Sequence, residues 1–319
     1  MIRYISRFKA SFLLLFMALN ACNSDKQSTD KNMYTEFIKS QILTEYPSGS
    51  TISFHNGHLY LMGDDASKLV ILDSELNLKQ EIQFFPGDEY RIRKAEKADI
   101  ESSEWITKDN KPKLWLFGSG SLSPQRDSAF CFDPQTQTVD RMDLGSFYRK
   151  LHHAGIPELN IEAAAIVKDN LVFGSRGNLT NKQNHLIYTS TGNFPEDTTF
   201  SIVPINLPDD AGISGMSYQA DLDILLITAS KENTATAYDD GEIGESYLGA
   251  VYNFSDRITD AAIKPDAWLA LSELHPEFAV QKIESICTLS SNTSEIITVL
   301  VADNDQGTTK LFTVRLRFD

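Results

Sequence analysis

The sequence predicts an all-β protein, a five-bladed β-propeller of four-stranded blades, and two observations carry that reading. Short apolar or alternating runs, separated by Gly, Asp, Asn and Ser turns, recur along nearly the whole 319-residue chain, which is the pattern of strands rather than helices. The same local text also returns five times: GSTISFHNG, IESSEWITK, IEAAAIVKD, ISGMSYQAD and IESICTLSS each open a strand with Ser or Glu and soon reach a turn. The key residues are Ser50, Glu101, Glu162, Ser214 and Glu284, four of them directly after an Ile. Recurrence at intervals of roughly 50 to 70 residues signals a repeat architecture, and four strands per repeat is the propeller blade.

The chain opens on an address rather than on the fold. Arg3, Arg7 and Lys9 precede an apolar run from Ser11 to Leu19, and Leu19-Asn20-Ala21-Cys22 closes it as a lipobox-like site. Residues 1–21 are therefore expected to be a bacterial lipoprotein signal, residues 22–33 a lipidated Cys22 and polar tether, and residues 34–319 one propeller domain. The expected location is the bacterial cell envelope, at the outer membrane, held through the acyl chains on Cys22. A formal charge of −15 repels nucleic acid and anionic lipid from the body of the protein and suits a cation better. Cys131 and Cys287 sit in apolar strands of different repeats and read as buried free thiols. A monomer is expected.

The elements follow in order. The first blade takes strands at residues 51–55, 59–62, 68–72 and 79–85, and the second at 100–107, 113–117, 129–132 and 138–144. The third takes 161–167, 171–173, 185–188 and 199–205, and the fourth 213–218, 224–228, 247–254 and a weaker 268–274. The last repeat offers only 283–289, 296–301 and 310–318, one strand short, while residues 36–43 have no blade of their own. Pairing the N-terminal segment with the last blade removes both free edges. Six blades would fit the length, but there is no sixth key position. Helical turns are expected only around residues 146–153 and 266–274.

In a propeller the residues that open strand one and those that follow strand two share one rim. Three carboxylates and two hydroxyls would meet there, together with the loops at Asp64-Asp65, Gly118 to Ser121, Gly174 to Asn178, Lys231-Glu232 and Asp303 to Asp305. Carboxylates facing one axis repel unless protons or a cation intervene. An all-oxygen set of Ser50, Glu101, Glu162, Ser214 and Glu284 suits Ca²⁺, whereas zinc would recruit His or Cys.

At these positions the chain resembles the calcium-activated nucleotidases, or soluble apyrases, whose repeat-opening residues also run Ser, Glu, Glu, Ser, Glu. The segments NGHLYLMGDD, KADIESSEWI, IEAAAI, GISGMSY and KIESI carry the likeness. The resemblance implies a five-bladed fold, a central calcium and hydrolysis of phosphoric esters or anhydrides. It also implies Asp64 and Asp65 as an acidic pair at the mouth, Arg176 as an arginine and Lys231 as a lysine of the phosphate site; with the neighbouring loop residues, Asp64 or Glu232 is the candidate base and Arg126, Arg176 and Lys231 the candidate phosphate contacts. The chain departs from that family at Ala66, Ser67 and Gly177, where cations or a hydroxyl would otherwise complete the phosphate clamp. It is similar as well to bacterial envelope propellers called phytase-like or esterase-like. Two functions therefore stand side by side: a calcium-dependent hydrolase acting on a small phosphate compound, and a non-catalytic propeller with structural calcium that binds a protein or glycan.

Other constellations carry less. Asp303 to Gly307 begins like a calcium loop, but its twelfth position is Val314. His152-His153 lacks a third ligand, and Gly118 to Ser121 lacks the Gly-Lys ending of a phosphate loop. No Gly-x-Ser-x-Gly nucleophile elbow occurs. The long acidic loop at residues 233–245, containing Tyr238 to Glu242, is a candidate ligand cover.

Overall fold

In the computed structural model, residues 32–87, 89–192, 194–196, 199–232, 243–303 and 307–319 are described. Cys22, the Tyr238 to Glu242 loop and Asn304 to Gln306 lie outside them.

The apolar runs explain the layering. Strand β3 (His58–Gly63) alternates between two cores: Leu59 and Leu61 join one cluster, Tyr60 and Met62 another. A strand whose two faces are both covered needs a near-continuous hydrophobic run, and β7 (Lys111–Gly118), β15 (Ile224–Glu232) and β19 (Glu295–Asp303) have the same character. Five large clusters result, one between each pair of neighbouring sheets. The cluster between the second and third sheets is the most aromatic. There Phe117 meets Phe173 edge-on at 4.8 Å, and α1 (Gly145–His153) adds Phe147 and Leu151.

Five four-stranded antiparallel sheets form the blades. The first is β2 (Gly49–His55), β3, β4 (Lys68–Asp73) and β5 (Leu78–Gln83). The second is β6 (Ile100–Lys108), β7, β8 (Ser128–Asp133) and β9 (Thr138–Asp143), and the third is β10 (Ile161–Val167), β11 (Asn170–Ser175), β12 (Asn184–Ser190) and β13 (Phe200–Ile205). The fourth is β14 (Gly212–Gln219), β15, β16 (Ile243–Tyr252) and β17 (Ala267–Ala270). The innermost strands β2, β6, β10, β14 and β18 (Lys282–Ser291) touch one another in turn and close a ring.

Closure follows the expected route. The last blade runs β18, β19, β20 (Thr309–Phe318) and then β1 (Met33–Leu43), which pairs antiparallel with β20 from Met33 opposite Phe318 to Leu43 opposite Thr309. The N-terminal strand is thus the outer strand of the final blade and starts three residues earlier than its apolar core suggested. There are five blades, so the six-blade alternative falls. Cys131 and Cys287 are buried and free. Among the described residues no helix is long and apolar enough to cross a membrane.

Candidate functional site

The recurring Ser/Glu position has a structural identity that the sequence does not display. In all five blades it is the extra residue of a β-bulge. Gly49 pairs with Gly63 and Thr51 with Met62, which leaves Ser50 unpaired between them. The same skip occurs at Glu101, Glu162, Ser214 and Glu284. A bulge re-aims one side chain without disturbing the alternation beyond it. The preceding Ile100, Ile161, Ile213 and Ile283 remain fully buried in the cores. The first blade has Gly49 in place of Ile because Thr309 already fills that space: a Cβ on Gly49 would lie 2.5 Å from Thr309 Cγ2.

Strand two returns to the same level, as the shared-rim expectation required. The amides of Asp64, Ser119 and Arg176 donate to the carbonyls of Ser48, Asp99 and Asn160, each two residues before a bulge. The side chains at and beside the bulges then sort into two charged groups. In the first, ligand oxygens of Asp64, Asp99 and Glu101 lie within 4.8 Å of one another. Lys97 bonds Asp64 and stands 2.8 Å from Asp99, and Arg126 Nη1 donates to Asp99 at 2.7 Å.

The second group faces it across the third, fourth and fifth blades. Arg176 Nη1 lies 3.5 Å from Glu162 and Nη2 3.4 Å from Glu232, while Nη2 also donates to Ser230 O and Oγ at 3.1 Å. Gly212 makes room for that crossing, since a Cβ there would sit 2.6 Å from Arg176 Nε. Lys282 contacts Glu232 at 3.2 Å and Glu284 Oε1 at 2.9 Å. Glu284 Oε2 is buried and has no hydrogen-bond partner among the described residues. Glu162 Oε1 accepts from Asn160 at 2.6 Å.

This network sets Asp64, Asp99, Glu101, Glu162, Glu232 and Glu284 against Lys97, Arg126, Arg176 and Lys282, a formal excess of two negative charges. Electrostatics registers that excess. Burial, with Asp99, Glu162 and Asp64 adding repulsion, pushes Glu101 well above the ordinary carboxylate range. Burial likewise raises Glu162 to about 7, against the pull of Arg176, and Asp64 to about 6, against that of Lys97. Burial would raise Asp99 too, but Lys97 and Arg126 hold it below its usual value. Carboxylates pushed apart in this way gather at functional sites.

The structure therefore brings together Asp64 and Glu101 in one group, and Glu162, Arg176, Glu232 and Glu284 in the other, with Arg126 tied to Asp99. Ser50 donates to the carbonyl of Ile100 in the next blade, and the Ser214 hydroxyl lies 3.4 Å from Thr228 Oγ1. Lys231 stands apart, with its ammonium 5.8 Å from the centre of the Tyr247 ring. The sequence reading missed Lys97, Asp99 and Lys282. Their signal was present in the segments KADIE and QKIE, where a charged residue precedes each Glu by two positions.

Fold and site together define a five-bladed propeller with a buried, charged mouth. The chain belongs to the DUF6929 family, a family of unknown function, whose match covers residues 45–316. No curated protein matches the sequence. Among solved structures it is similar to Myxococcus xanthus glutaminyl cyclase, at 12% identity and a TM-score of 0.52, over 89% of this chain and 97% of that one. It is similar to a GH43 β-1,3-galactosidase at 13% identity and a TM-score of 0.50, over 83% of this chain and 89% of that one. These likenesses concern the fold alone. A calcium-binding protein, regucalcin from Agrobacterium tumefaciens, aligns at 10% identity and a TM-score of 0.45 over 88% of this chain and 95% of that one, too distantly to bear on the site.

Proposed function

We propose that this protein is a lipid-anchored envelope propeller that holds a divalent cation of the calcium type at its charged mouth and serves as a binding module. Glu101, Glu162 and Glu284 would supply the carboxylate oxygens, Ser50 and Ser214 hydroxyl oxygens, and Asp64 and Asp99 flanking charge. One observation carries the reading. Glu284 is 5% exposed, and its Oε2 has no partner among the described residues, within a network whose formal excess of two negative charges is relieved only by protons held on carboxyls such as Glu101 and Glu162. A buried carboxylate oxygen without a partner costs on the order of 1–3 kcal/mol or more. A hard divalent cation removes both that cost and the charge excess, and the donor set is all oxygen.

Hydrolysis of phosphoric esters, the activity implied by the apyrase resemblance, has weaker support. Arg126 is 2% and Arg176 8% exposed, each is held by carboxylates, and Lys231 leans on Tyr247. Phosphate clamping needs cations turned toward the ligand. Binding is therefore favoured over catalysis.

Metal analysis of the dialysed chain tests the cation. One calcium per wild-type chain, lost in Glu284→Gln, is expected. An equal metal content in the two proteins, or none in either, contradicts the assignment. Nucleoside diphosphate turnover in calcium above that of a Glu162→Gln control would return the protein to the hydrolases. Acyl labelling that survives Cys22→Ala would remove the anchor.

A further inference from the structure

The channel has a second mouth, and its chemistry differs from that of the first. About three residues beyond the bulges the inner strands β2, β6, β14 and β18 surround a funnel of 310 Å³, roughly 10 Å from the charged network at the rise of an extended strand. Its wall is hydroxylic: Ser53, Ser103, Ser217 and Thr288 line it together with the Gln219 amide. The hydroxyls form two bonded sets on the wall. Ser53 and Ser103 are 2.8 Å apart, Ser217 and Thr288 3.2 Å, and Gln219 donates to Thr288 at 2.7 Å.

Two further side chains give the funnel character. Glu104 occupies the position held by Ser53, Ala165, Ser217 and Cys287 in the other blades and reaches across to β10. Its Oε1 accepts from the Trp105 amide at 2.7 Å and its Oε2 from the Ile166 amide at 3.2 Å. Burial raises its carboxyl to about 7, so the neutral form, able to donate a hydrogen bond, is well populated near neutrality. Trp105 supplies a flat wall, held in place by His55 stacked at 4.2 Å and Tyr60 edge-on at 5.0 Å. The buried Trp105 indole N–H has no hydrogen-bond partner.

We infer that this funnel is a binding site for a neutral polyhydroxylated ligand of mono- or disaccharide size. The alternatives fit the wall poorly. Among the described residues no Lys or Arg lines it to hold an anion, and Glu104 is the sole carboxylate, with both oxygens engaged, where a hard cation needs six or more oxygens. An apolar ligand would strip water from the spare lone pairs of these hydroxyls and offer nothing in return, which is costly. A ligand that carries donors and acceptors all round, with one flat face for Trp105, matches both the hydroxylic wall and the ring. The volume stands at the lower end of small-molecule sites.

This inference does not rest on the cation reading, and the test keeps the two apart. The chain is titrated calorimetrically with glucose, galactose, mannose, N-acetylglucosamine, maltose and lactose, in EGTA and again in calcium. At least one sugar is expected to bind saturably at about 10 mM or tighter, with the same affinity in both buffers. Gln219→Ala and Trp105→Phe, each checked for an unchanged melting transition, should weaken it about tenfold or more. The inference is overturned if no sugar saturates at that level, if binding requires calcium, or if a folded variant of either kind binds like the wild type.

Discussion

Arg176→Met is the perturbation that interrogates the charged mouth most fully. Met preserves most of the buried stem and removes the guanidinium that stands between Glu162 and Glu232 and donates twice to Ser230. Deleting one partner of a buried ion pair costs about 3–5 kcal/mol, because the charges left behind lose compensation. Glu162 already lies at about 7 and escapes part of that cost by taking up a proton, so the low end applies: about 3 kcal/mol at pH 7.5 in EGTA. For a domain of this size that corresponds to a fall of roughly 5 °C in Tm. The substitution also raises the formal excess of negative charge by one, which should strengthen calcium binding. Urea unfolding in EGTA and in millimolar calcium reads both effects, and calcium should recover most of the deficit. A loss below about 1 kcal/mol in EGTA, or the same loss in both buffers, would refute the reasoning.

Further predictions concern the same network and the closure of the ring. In EGTA, Glu162 at about 7 and Asp64 at about 6 keep protons that an unfolded chain releases near pH 4, so the native state binds more protons across that window. Stability should therefore fall as pH rises from about 4.5 to 7, by about 3 kcal/mol from Glu162 alone, and a urea midpoint that rises over this range contradicts it. Gly212→Ala places a methyl 2.6 Å from Arg176 Nε and should cost about 1–3 kcal/mol, read as a lowered urea midpoint; an unchanged midpoint shows that Arg176 has another route to Ser230. A chain that begins after Leu43 loses β1, exposes the edge of β20 and should aggregate in size-exclusion analysis. A monomeric product with unaltered melting would show that closure by β1 is dispensable.

The blades were legible because a strand covered on both faces has to read as an apolar run, and the LYLM, LWLF and ILLI segments do. The ring position was legible because a bulge at one level of every blade fixes a Ser or Glu against the axis, with Ile before it in four of the five. Less legible was what surrounds that position. The pairing of Lys282 with both Glu232 and Glu284 joins strands far apart in sequence, and no local pattern encodes it. Asp99 and Lys97 were visible as charges, but their partners depend on the loop after β7, which brings Arg126 back onto Asp99. Boundaries slipped where a side chain diverts the backbone. The run 268–274, read as a weak strand with helical turns about 266–274, is a strand only to Ala270; Ser272 bonds the Glu245 carboxylate through its amide and hydroxyl within a short helix, α2 (Leu271–Leu274), which the expected helical turns match. The 146–153 turn is a full helix, α1, whose Leu151 and Phe147 fill the core between the second and third blades.

The most direct measurement of the central claim is the melting temperature of the intact chain in EGTA and in calcium, for the wild type and for Glu284→Gln. A cation that compensates the buried Glu284 oxygen stabilises by RT ln(1 + [L]/Kd), about 2.7 kcal/mol at a hundredfold excess over Kd, or roughly 4–5 °C for a domain of this size. The wild type should show that shift, and Glu284→Gln should melt at the same temperature in both buffers. A wild-type transition indifferent to EGTA and calcium contradicts the cation site and with it the proposed role of the mouth.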